Sequence, residues 1–213
     1  MSKTVNSFAM AVLLSMASFG ASAQTTTGSF GCISNNSGSC SSLEPYFEWS
    51  FTEAGATDTL TISNLFTTSQ PFIGGLYFDA GAGDSVSFLS GTGTVAGTLY
   101  TQAAQPGNQN LPGGNGADPD FATDFYFAFS PPPSGYGVNG GESITFSLTG
   151  VSSADLLAGL FRVGLHVQGV NPDNQFSEGL VSTPPIPEPS TYALMLAGLG
   201  AVGFMARRRR LKA

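Results

Sequence analysis

Along most of this chain the apolar positions recur every second residue. Phe47, Trp49 and Phe51 alternate with Tyr46, Glu48 and Ser50; Leu60 and Ile62 with Thr59, Thr61 and Ser63; Val86 and Phe88 with Ser85 and Ser87. The period returns in Phe125, Phe127 and Phe129 against Asp124, Tyr126 and Ala128, and in Ile144, Phe146 and Leu148 against Ser143, Thr145 and Ser147. It returns once more in Phe161, Val163, Leu165 and Val167 against Arg162, Gly164, His166 and Gln168. Successive side chains of a strand point to opposite faces, so each run offers one apolar and one polar face. Threonine and aromatic residues are frequent in these runs, as half-buried strands require. Turn-forming clusters separate them: Gly81-Ala82-Gly83, Asn108 to Gly116, Pro131-Pro132-Pro133 and Asn139-Gly140-Gly141. The exception is Ser153 to Ala158, which predicts a helical turn or two capped by Ser152 or Ser153. Seven or more short strands at this spacing predict an all-β fold, an antiparallel β-sandwich of jelly-roll or immunoglobulin-like type.

The two ends break the alternation. At the start, Lys3, the apolar stretch Phe8 to Met16 and the A-x-A triplet Ala21-Ser22-Ala23 predict a secretory signal peptide over residues 1–23. At the other end, Tyr192 to Ala206 is an uncharged run of 15 residues closed by Arg207-Arg208-Arg209-Arg210. As a helix it spans about 22 Å, short for a hydrocarbon core of about 30 Å. Arginines reaching the headgroups help it across. Ala193, Ala197 and Ala201 give it a nearly flat face suited to close helix approach in lipid. The expected division is a signal peptide at 1–23, a β-sandwich domain at 24–180, a proline-rich stalk at 181–189, a hydrophobic helix at 190–206 and a basic cytoplasmic tail at 207–213. The positive-inside rule keeps the arginine cluster in the cytoplasm and residues from Gln24 onward outside the inner membrane.

Pro187-Glu188-Pro189 stands immediately before the apolar run. Motif, hydrophobic segment and basic cluster in this order resemble the PEP-CTERM sorting signal of Gram-negative bacteria. The resemblance implies that Pro187, Glu188 and Pro189 are read by exosortase, a multi-pass membrane protease-transpeptidase, with Arg207, Arg208, Arg209 and Arg210 as the stop-transfer cluster. It further implies a transient stay in the inner membrane, removal of the tail near Pro189, and a link to exopolysaccharide or biofilm production. A second, shorter likeness to such proteins covers Gly164 to Gln168 and Ser177-Glu178-Gly179, and carries no assigned role.

Charge changes the picture of the exported part. All 14 acidic residues lie between Glu44 and Glu188, whereas only Arg162 remains of the seven basic ones, so residues 24–189 carry a formal charge of −13. Phosphate contacts need lysine and arginine, which excludes a nucleic-acid partner. Such a charge favours solubility and attracts divalent cations. Cys32 and Cys40 are the only cysteines, and in an oxidising compartment they are expected to form a structural disulfide. Their spacing is not C-x-x-C, and nothing nearby completes a zinc ligand set.

Candidate chemistry is sparse. His166, the single histidine, stands on the polar phase of its strand, and no G-x-S-x-G elbow supplies a nucleophile. Asp118, Asp120 and Asp124 follow a Gly/Asn-rich loop and form a candidate Ca²⁺ set, without the glycine and glutamate of an EF-hand. Asp79 and Asp84 are a weaker second set. Tyr46 and Tyr126 fall on outward phases as candidate sugar-stacking residues, whereas Trp49 is in phase with the core. The expected protein is an exported, non-enzymatic component of the cell surface or extracellular matrix. The alternatives are a carbohydrate-binding module, or a secreted glycan hydrolase using a carboxylate pair.

Overall fold

A computed structural model describes residues 23–184, except 55–56, 98–99, 105–109, 130–131, 172 and 174, together with 195 and 197–200. Among the described residues there are ten strands: β1 (Gln24–Cys32), β2 (Phe47–Glu53), β3 (Asp58–Asn64), β4 (Phe72–Asp79), β5 (Ser85–Gly91), β6 (Tyr100–Ala104), β7 (Phe125–Phe129), β8 (Ser143–Thr149), β9 (Arg162–Val170) and β10 (Phe176–Ser182). Their spatial order is β5-β8-β3-β2-β1-β10-β9-β4-β7-β6, with every neighbouring pair antiparallel. The sheet is folded over, nearly a barrel. β1 makes the fold, because Gln24 to Ser29 pair with β2 whereas Phe30 to Cys32 pair with β10.

The alternating runs behave as their pattern requires. Phe47, Trp49 and Phe51 of β2, Leu60 and Ile62 of β3, and Ile144, Phe146 and Leu148 of β8 are all buried and line one inner face. Leu76 and Phe78 of β4, Phe127 of β7 and Val163, Leu165 and Val167 of β9 line the other. The halves meet at an aromatic centre: the Phe146 ring lies 5.0 Å from Phe78 and 4.8 Å from Phe127, both edge-on. Edge-to-face pairs of this kind add about 0.5–1.5 kcal/mol beyond the area they bury.

The helix Ser153–Ala158 forms as expected. Ser152 is its N-cap, and a reciprocal capping box joins Ser152 and Asp155. The Ser152 hydroxyl and amide hold the Asp155 carboxyl below its ordinary pKa.

Two elements differ from the pattern's prediction. β10 runs through Ser182, two residues into the expected stalk, and Thr183 is still pinned to Ser29 of β1. Residues 110–124, expected as a solvated connection, lie across the outer face of β4, β9 and β10. There Leu111 and Phe121 bury themselves against Tyr77 and Val181 in a second, smaller apolar cluster. The trough that receives them is made by glycines. A Cβ on Gly179 would stand 2.1 Å from the Pro112 carbonyl oxygen, and one on Gly164 would stand 2.6 Å from a Leu111 methyl.

The expected signal peptide up to residue 22, Pro187 to Pro189, most of the expected hydrophobic helix at 190–206 and the arginine cluster lie outside the described residues. Among the described residues no helix is long and apolar enough to cross a membrane.

Candidate functional site

Three features lie along β10 and the strand beside it. The first is a buried carboxylate. Glu178 is only 1 % exposed, and its oxygens accept from the Ser34 hydroxyl (2.5 Å), the Asn36 amide (3.0 Å) and the Ser37 amide (2.5 Å). Burial by itself raises a carboxyl pKa. The donors from Ser34, Ser37 and Asn36 outweigh it and hold Glu178 below the usual glutamate value. Those donors belong to the loop closed by the Cys32–Cys40 disulfide, whose Cα atoms are 6.0 Å apart. A second carboxylate, Glu44, accepts from the Cys32 amide at 3.0 Å. The serine- and asparagine-rich loop is thus shaped by one covalent bond and two carboxylates.

The second feature is Arg162, the single cation of the exported segment. It is nine-tenths buried, paired with Asp79, and lies 5.3 Å over the Phe121 ring. Its guanidinium also donates at 2.6 Å to the carbonyls of Pro119 and Asp120. One planar fork therefore ties the covering segment to β4 and β9.

The third feature is a cleft of about 580 Å³ where the chain leaves the sheet. Ile33, Ala117, Pro119, Leu160 and Val181 give it an apolar wall, and Thr183 and Pro184 border it.

These contacts correct several sequence expectations. Asp118, Asp120 and Asp124 do not converge. Asp118 and Asp120 face solvent, Asp120 contributes its main-chain carbonyl to Arg162, and the Asp124 carboxylate accepts from the Ala80 amide at 2.8 Å. Asp79 and Asp84 are also apart in role: Asp79 pairs with Arg162, and Asp84 accepts from Gly81 at 2.7 Å. Among the described residues no three His, Cys, Asp or Glu side chains could hold a metal ion. Asp79, Asp84 and Asp124 are occupied by backbone amides and by Arg162.

Each candidate stacking tyrosine has a ring partner already. Tyr46, on the rim, stacks on Phe66 at 4.1 Å. Tyr126 leans on Tyr77 at 4.7 Å, and burial together with Tyr126 pushes the Tyr77 phenol pKa upward. Trp49 is in the core, its indole N–H donating to the Ser29 carbonyl at 3.1 Å. His166 is half-buried, and burial lowers its pKa. The role of Glu178 was not legible. The available signal was an acid on the inward phase with Leu180, beside a strand otherwise free of charge.

Comparison with known families turns on the segment just past Pro184. Residues 185–210 match the PEP-CTERM protein-sorting motif. The chain carries a PEP-CTERM signal. Such a motif implies export and processing by exosortase. Comparison with curated proteins and with solved structures returned no match.

Proposed function

We propose that this PEP-CTERM chain is an exported, non-enzymatic β-protein of the cell surface or extracellular matrix, held briefly in the inner membrane by its tail and released by exosortase. The observation that carries this reading is the adjacency of two modules. The sorting motif begins at residue 185, immediately after a folded domain whose last strand is fastened through Thr183 to Ser29. A folded domain joined directly to a removable membrane segment is a cargo. Structural employment of the carboxylates supports the absence of hydrolytic chemistry: Asp79, Glu142, Asp155 and Glu178 all accept from backbone amides of neighbouring loops. The link to exopolysaccharide rests on the resemblance of the tail.

Intact mass of the protein recovered from the cell surface or medium tests the reading. The mature form is expected to begin at Gln24 and to lack Thr191 onward. A surface-exposed form that still contains Arg207 to Ala213 would make the tail an ordinary anchor.

A further inference from the structure

The fold ends very close to the motif. Thr183 is held to Ser29 by its amide at 2.9 Å and by its hydroxyl at 3.1 Å. Four residue steps then lead from Thr183 to Pro187, a reach of at most about 14 Å even when fully extended. Whatever holds Pro187 to Pro189 therefore stands against this end of the domain. The end is not a neutral polar surface. The apolar-walled cleft opens there, bordered by Thr183 and Pro184 themselves. Leu160 on the cleft is 67 % exposed, and Leu157, one turn earlier, is 48 % exposed. Single exposed leucines are ordinary; two beside an apolar cleft at a tether point form a coherent surface.

We infer that this cleft, with Leu160 at its rim, is a docking surface for the outer face of the membrane protease that reads the motif. The inference rests on the processing reading above. The occupant is a protein loop bearing an apolar side chain, because a concave cleft is not filled by a flat bilayer. The −13 charge of the exported segment also opposes approach to anionic lipid. Docking would supply orientation and hold the motif at high effective concentration.

The test follows tail removal by pulse-chase in cells making the full chain. Leu160→Asp is expected to slow removal about fivefold or more, the fold-change that corresponds to about 1 kcal/mol of lost contact. The same substitution is expected to have little effect once a long Gly/Ser spacer separates Thr183 from Pro184. Equal rates for Leu160→Asp and the native chain overturn the docking surface. Equal slowing with and without the spacer also overturns it, since the effect then lies in folding. A photo-crosslinking residue at position 160, with exposed Leu65 outside the cleft as the control position, is expected to capture the tagged protease. Adducts with lipid alone assign the surface to the bilayer instead. Glu188→Ala separates the two ideas: if it is processed like the native chain, the reading of the motif fails, whatever Leu160 does.

Discussion

Ser34 donates its hydroxyl to the Glu178 carboxylate at 2.5 Å, although 144 residues separate them along the chain. The same Ser34 oxygen accepts from the Gly179 amide at 2.8 Å, so it is woven into β10 from both directions. Removing the carboxylate orphans a hydroxyl and two amides in a place with little water. Glu178→Ala is expected to cost about 3 kcal/mol, a fall in Tm of about 6–12 °C for a chain of this size. Glu178→Gln keeps the shape and one acceptor, and should lose less. Calorimetry of the exported form checks both. An unchanged Tm in Glu178→Ala would mean that the disulfide alone holds the loop.

Acid should loosen the fold in two windows. The Glu178 pKa lies below its ordinary value of 4.5 when folded, so its contribution is present above about that pH and is lost as pH falls through the folded pKa. His166 is also lowered from 6.5, by burial. Between its folded pKa and 6.5 the unfolded chain binds the extra proton, so stability falls on acidification there too. Denaturant midpoints measured from pH 8 to pH 3 should show both declines. His166→Gln should remove the upper one, and Glu178→Gln should reduce the lower one, to which the lowered Asp155 carboxyl also contributes. A flat profile in the native protein would refute both assignments.

The disulfide and the carboxylate should not act independently. Cys32→Ser with Cys40→Ser removes a short closed loop worth about 2.5 kcal/mol of chain entropy. Without it, the amides of Asn36 and Ser37 are no longer held facing Glu178. A double-mutant cycle with Glu178→Ala should therefore give a coupling of about 1 kcal/mol. Strict additivity would show that the loop keeps its shape when reduced.

Arg162 does for the covering segment what Ca²⁺ was expected to do. Asp79→Ala leaves a guanidinium nine-tenths buried without its counter-ion, and about 3 kcal/mol should be lost. Arg162→Lys keeps the charge but not the fork that reaches Pro119, Asp120 and Asp79 together, so it should restore little. Both variants should become sensitive to proteolysis between residues 110 and 124. Millimolar Ca²⁺ should raise the Tm of the native protein no more than NaCl of equal ionic strength. A larger, Asp120-dependent shift would reinstate a cation site.

The strands that could be read from the chain are those whose outward positions are polar or glycine. β2, β3 and β8 alternate because solvent or a polar layer lies opposite the core, and β9 keeps its period because Arg162, Gly164, His166 and Gln168 occupy its outward positions although part of that face is covered. β4 was not legible, since Phe72 to Phe78 are buried without interruption on both faces and leave no period to detect. β10 was hidden for a related reason: Glu178, Gly179, Leu180 and Val181 are all buried, and one of them is charged. Glu178 is covered by the loop of Ser34 to Ser37, and the outer face at Tyr77, Gly179 and Val181 is covered by the segment 110–124. Its glycines and acids resemble a solvated loop, and only the tertiary fit of Leu111 and Pro112 against Gly164 and Gly179 shows otherwise. The acidic triplet misled because spacing along the chain does not reveal which carboxylates already have donors. The cysteine pair and the sorting tail were legible because their chemistry is local in sequence.

The placement of β10 between β1 and β9 has a consequence in time. A chain exported from its first residue presents β1 early, but the Phe30 to Cys32 edge has no partner until residues 176–182 emerge. The sheet can close only when its last strand has crossed, and the next residues to follow are those of the motif. Completion of the fold and arrival of the processing site are thus consecutive events on one short stretch of chain. A protease acting there would meet cargo that has either just closed or is about to.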